Sequence, residues 1–141
     1  MGLAMADIPP VPISPASTTP RGLGAAQITY VLFGVAAVAA IVAHGLPVIA
    51  PLFGLIGIIA VIVAYVMRGD AAGSYVATHF RWLIRTFWFS LLWAAVGVLF
   101  FITLLGIPIA WVIWLADSIW VLYRVIRGFL LLQEGRPAPR M

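Results

Sequence analysis

The sequence predicts an all-α integral membrane protein with four transmembrane helices arranged as two hairpins. Three observations carry this. Of 141 residues, 65% are hydrophobic and 9% charged, and the mean hydropathy is +1.16. Four acids and eight Arg, with no Lys, cannot supply the polar surface that a soluble domain of this size needs. The charges that do occur flank two long apolar stretches, each the length of two spans. This composition excludes an ordinary cytosolic enzyme, a nucleic-acid binder and a disordered regulator. The absence of Cys excludes disulfides, thiolate metal sites and a Cys nucleophile.

Residues 1–25 read as a disordered Pro-rich tail. Half of the ten prolines fall in the segment 8–20, IPPVPISPASTTP. Proline removes amide donors and disfavours helix. The membrane domain is expected over 26–134. Residues 22–67 contain no Asp, Glu, Lys or Arg, enough for two helices of about 20 residues. The pattern His44-Gly45-Leu46-Pro47 breaks the run, because Gly ends helices and Pro is tolerated only in a first turn. The first span is placed at about 27–43 and the second at about 50–67.

Residues 68–85 are the polar middle. Ser74, Thr78, Arg81 and Arg85 recur at i, i+4, i+7 and i+11, one face of a helix. Val76, Phe80, Leu83, Ile84 and Phe87 cover the other. This predicts an interfacial amphipathic helix over about 72–86, lying in the headgroup plane before the third span. Residues 86–123 then carry a single charge, Asp117, with Gly106-Ile107-Pro108 in the middle. The third and fourth spans are placed at about 87–105 and 107–123. Residues 124–132 read as a short exit helix along the membrane, and 135–141 as a flexible tail.

Orientation follows from arginine. With four spans, Arg21, Arg68, Arg81, Arg85, Arg124, Arg127, Arg136 and Arg140 all fall on one side, and neither hairpin turn carries any. The positive-inside rule puts both termini in the cytoplasm. The expected partner of these residues is the bilayer with its anionic headgroups, and not nucleic acid.

Asp117 is the residue most open to a chemical role. A charge near the bilayer centre costs about 2.5–3.5 kcal/mol by insertion scales. Two readings stand: a proton or substrate site, and a buried tie to Arg81, Arg85 or Arg124 that fixes the packing of spans 3 and 4. His79 completes this polar cluster, either as a headgroup, partner or proton contact or simply as part of an anchored interface helix. Small residues at Ala50, Gly54, Gly57 and Ala64 form a stripe suited to close helix packing, within the chain, in a homo-oligomer or against a membrane-protein partner. No catalytic, cofactor or metal site is expected. His44 and His79 lie at opposite ends, no carboxylate accompanies either at ligand spacing, and Ser90 and Ser118 have no His at their depth.

Residues 70–88, DAAGSYVATHFRWLIRTFW, and 115–128, LADSIWVLYRVIRG, resemble a family of small four-helix bacterial inner-membrane proteins of unknown function. That family is distantly similar to the small multispanning Tic subunit of the chloroplast inner-envelope translocon. The resemblance covers about residues 26–135. The stretch from His79 to Trp88 is its most specific part. It implies a four-helix protein of the bacterial inner membrane and draws attention to His79, Arg81, Arg85, Asp117 and Arg124. The family's glutamine-like position between the two motif arginines is Leu83 here. The reading that follows is a non-enzymatic accessory or assembly component of a membrane complex. The alternative is a small oligomeric transporter or channel with Asp117 as its coupling site.

Overall fold

The computed structural model describes residues 19–45 and 50–140. Four helices account for most of them: α1 (Leu23–Val42), α2 (Ala50–Met67), α3 (Val76–Ile102) and α4 (Ile107–Gln133). Most of the N-terminal Pro-rich tail and the tip of the first hairpin, 46–49, lie outside the described residues. Among the described residues, three helices, α1, α3 and α4, are long and apolar enough to cross a membrane.

The helices run up, down, up, down. α1 packs against α2 and α4, and α3 packs most extensively on α4. The α2–α3 contact is thinner, and α1 and α3 touch only slightly across the bundle. Each helix gives the centre a stripe at helical spacing. On α1 it is Ala26, Tyr30, Phe33 and Ala37; on α4 it is Val121, Val125, Gly128 and Leu132. α2 adds Ala60, Val61 and Ala64, and α3 adds Val76, Phe80 and Leu83. The core is therefore concentrated at the end of the bundle that holds the arginines. Toward the other end Ala43 and Ala110 are buried, but the large side chains Ile102 and Leu105 are 75% and 91% exposed.

The interfacial helix expected over 72–86 is not a separate element. Residues 68–75 form turns, and 76–86 are the first turns of α3, continuous with the span. Its faces are those the pattern gives, with Val76, Phe80, Leu83 and Ile84 buried and Arg81 and Arg85 exposed. The exit helix expected at 124–132 is likewise the end of α4. Neither junction contains a helix breaker, and an established helix propagates one hydrogen bond per residue. At 27 residues each, α3 and α4 are about 40 Å long. α3 stops at Ile102, where Thr103 turns extended, and a 3₁₀ turn over Leu104–Gly106 leads into α4. Pro108 sits in α4's first turn, where its missing N–H costs nothing.

The segment after α4, expected as a flexible tail, folds back. Gly135 adopts φ +69°, a left-handed conformation that Gly takes readily. The Gly135 amide donates to Leu132 O and the Arg136 amide to Leu131 O, which is the Schellman termination. This turn lays residues 136–138 across the start of α3, where Ala138 is buried and its amide donates to Thr78 Oγ1 at 2.9 Å.

Candidate functional site

Two polar clusters lie inside the bundle at different depths. The first is at the arginine-bearing end. Tyr30 of α1 and His79 of α3 are 1% and 0% exposed. The His79 Nε2 faces the Arg136 carbonyl at 2.8 Å. A carbonyl only accepts, so Nε2 carries the hydrogen, and in the neutral ring Nδ1 is the acceptor. The Tyr30 hydroxyl, 2.8 Å from Nδ1, therefore donates to it. One imidazole thus links α1, α3 and the returning C-terminal segment. Gly128 gives the Tyr30 ring its room: a Cβ there would overlap the phenol.

Beside this pair lies Arg124 of α4, only 4% exposed. Its Nε donates to Thr86 Oγ1 at 2.8 Å. The Thr86 hydroxyl in turn donates to the Trp82 carbonyl at 2.8 Å. The guanidinium carbon lies 3.6 Å from the centre of the Trp82 ring and 4.8 Å from that of Trp120. Two indole faces and a hydroxyl suit a weakly hydrated planar cation. Trp120 precedes Arg124 by four residues, so the two share a face of α4.

The second cluster is deeper. Ser90 Oγ of α3 donates to Asp117 Oδ2 of α4 at 2.5 Å. The other carboxyl oxygen, Oδ1, is sealed and has no hydrogen-bond partner among the described residues. The tie expected between Asp117 and Arg81, Arg85 or Arg124 is not formed. The one ion pair among the described residues is Arg136 with Glu134, at the surface. The register explains this. Across the antiparallel α3–α4 pair, Arg124 lies opposite Thr86 and Asp117 opposite Ser90. Asp117 and Arg124 are seven positions apart on α4, about 10 Å along the axis. Arg81 and Arg85 point outward.

Of the expected site residues, then, His79 and Arg124 share the first cluster, Asp117 forms the second, and Arg81 and Arg85 belong to the exposed face. The small-residue stripe on α2 divides. Ala64 is fully buried, whereas Gly54 and Gly57 have open space where a Cβ would stand, and the side chain of Ala50 lies outside the described residues. The tight positions are Gly97, against the Trp114 indole, Gly106, against the Phe100 carbonyl, and Gly128. Sequence reasoning missed Tyr30, Thr86 and the return of the C-terminal segment, and did not pair Ser90 with Asp117. Counting outward from the turn between α3 and α4 would have found two of these, because residues at nearly equal distances from that turn face one another. Comparison with family models, with curated proteins and with solved structures gives no match.

Proposed function

We propose that this chain is a multi-pass protein of the bacterial inner membrane, with both termini cytoplasmic, acting as a non-enzymatic accessory or assembly component of a membrane complex. The large apolar residues exposed along all four helices, Ile58, Leu92, Leu99 and Val112 among them, support placement in lipid, since water would leave that surface unpaired. α3 and α4 exceed the roughly 30 Å hydrocarbon thickness, so their arginine-bearing ends reach the headgroups. The observation that carries the reading is the division of labour at that end. His79, Tyr30, Thr86 and Arg124 are turned inward and engaged with protein groups, while Arg81 and Arg85 remain exposed on the same rigid helix. Such an end presents a fixed basic surface to a partner.

Affinity capture of the chain in mild detergent tests this. A stoichiometric membrane-protein partner that is lost from the Arg81→Gln/Arg85→Gln variant is expected. Recovery of a bare homo-oligomer would favour the second reading, a small oligomeric transporter or channel, which the deep Asp117–Ser90 contact supports. Topology has its own test. Reporter fusions after Met141 should report the cytoplasm, and a periplasmic C-terminus would overturn the orientation.

A further inference from the structure

We propose that Asp117 and Ser90 form an intramembrane proton-binding site, with the Asp117 carboxyl held as the neutral acid in the resting protein. The proposal rests on the membrane reading for its depth, and on neither functional reading beyond that. Asp117 is the eleventh residue of a 27-residue helix, which places it about 15 Å from the start of α4, near the middle of a bilayer. Its two oxygens differ. Oδ2 accepts from the Ser90 hydroxyl, as the carbonyl oxygen of an acid does. Oδ1 is enclosed, with no donor among the described residues directed at it. A carboxylate in a dry site gathers donors around both oxygens. One hydroxyl donor on one oxygen is too little to hold a carboxylate there, and the neutral acid needs less.

Among the described residues no charged group faces this carboxyl at its own depth. α1 and α2 contain no Asp, Glu, Lys or Arg. Tyr30 of α1 lies at the far end with His79 of α3, Tyr65 of α2 pairs with Trp88, and His44 lies beyond α1 at the opposite end, near Trp111. On α3 the charged residues are Arg81 and Arg85, both exposed. On α4 they are Arg124, two turns away beside Thr86, and the exposed Arg127. Proton loss from Asp117 would therefore leave a charge between α3 and α4 that only remote cations offset.

An apolar carbodiimide, dicyclohexylcarbodiimide, reads this state directly. The neutral carboxyl adds across one C=N bond: an oxygen joins the central carbon and the acid proton passes to nitrogen. The O-acylisourea then rearranges to a stable N-acylurea by acyl transfer from oxygen to nitrogen. Every atom is retained, and nothing leaves or is oxidised. The chain, reconstituted in phospholipid vesicles at pH 7, would be treated with this reagent or with a water-soluble carbodiimide, and the adduct mapped by peptide mass spectrometry. The exposed Asp70 and Glu134 are internal references. The expected result is near-complete labelling of Asp117 by the apolar reagent, falling as pH rises, with little label on Asp70 or Glu134 and none at position 117 in Asp117→Asn. Labelling of Asp117 by the water-soluble reagent alone would mean a water-exposed carboxyl and would overturn the depth, and with it the membrane placement. No labelling of Asp117 by either reagent, with the fusion-based topology intact, would mean that the group is ionised and would overturn the proton site alone.

Discussion

Tyr30→Phe isolates the junction at the arginine-bearing end. The substitution keeps the ring against Gly128 and removes only the hydroxyl that donates to His79 Nδ1. Because Nε2 is committed to the Arg136 carbonyl, Nδ1 is left as a buried acceptor with no donor. A net hydrogen bond contributes about 0.5–1.5 kcal/mol, and an acceptor stranded in a buried site costs about 1–3 kcal/mol. With His79 and Tyr30 both essentially inaccessible, the expected loss is about 1–3 kcal/mol. It can be measured by equilibrium unfolding in mixed micelles with an increasing fraction of denaturing detergent, followed by helical circular dichroism. His79→Leu should destabilise as well and, by releasing the Arg136 carbonyl, should speed amide exchange at Ala138. The double variant Tyr30→Phe/His79→Leu should lose less than the sum, because an apolar pair leaves no stranded acceptor. A Tyr30→Phe protein within about 0.5 kcal/mol of the native one, together with additive double-variant energies, would refute the network.

Three further outcomes use the same unfolding assay. Gly128→Ala should cost about 1–3 kcal/mol by overpacking against Tyr30, whereas Gly57→Ala, which meets open space, should be neutral or stabilising by up to about 1 kcal/mol; equal effects would contradict the packing. Arg124→Lys should lose about 1.5–3 kcal/mol, since an ammonium reproduces neither the Nε bond to Thr86 nor the planar contact with Trp82 and Trp120; a variant of native stability would contradict it. Asp117→Asn should stay within about 0.5 kcal/mol of the native protein, because an amide oxygen still accepts from Ser90; a loss of about 3–5 kcal/mol would instead indicate a broken buried ion pair.

What the sequence makes legible here is the period and the breakers. Gly106 and Pro108 mark the start of α4, and α2 spans the same 50–67 that the uncharged run suggests. The ends of α3 and α4 are not legible by the same logic, because the sequence reading stops a span where charge begins. Arginine is a good helix former, and the backbone ladder runs past Arg85 and Arg124 without interruption. The C-terminal segment looks flexible because it is rich in Pro and Arg, yet Gly135 redirects it onto α3, where the acceptors are a Thr hydroxyl and the donor is a His ring. For the candidate site, residue types were legible and partners were not. Charge complementarity matched Asp117 to arginine, whereas register across the α3–α4 turn assigns it to Ser90.

The separation of the two clusters decides which of them can carry a charge. In the proposed membrane placement Arg124 lies about 10 Å nearer the headgroups than Asp117, and two indole faces and the Thr86 hydroxyl meet its cation. Among the described residues, Asp117 has the Ser90 hydroxyl alone. At about 10 Å, one unit charge attracts another by about 1.7 kcal/mol at an effective dielectric constant of about 20. A charge at the membrane centre costs about 2.5–3.5 kcal/mol by insertion scales. The distant arginine therefore offsets only part of the cost of ionising Asp117, and a bound proton removes that cost entirely. The same distance keeps the arginine-bearing end independent of the proton's coming and going. Among the described residues, the hydrogen bonds of the His79–Tyr30 junction and that of Arg124 to Thr86 do not include Asp117. A change of protonation at Asp117 is then felt first between α3 and α4 at the depth of Ser90, where those helices have no other polar contact until the Trp114 indole donates to the Ala94 carbonyl one turn further on.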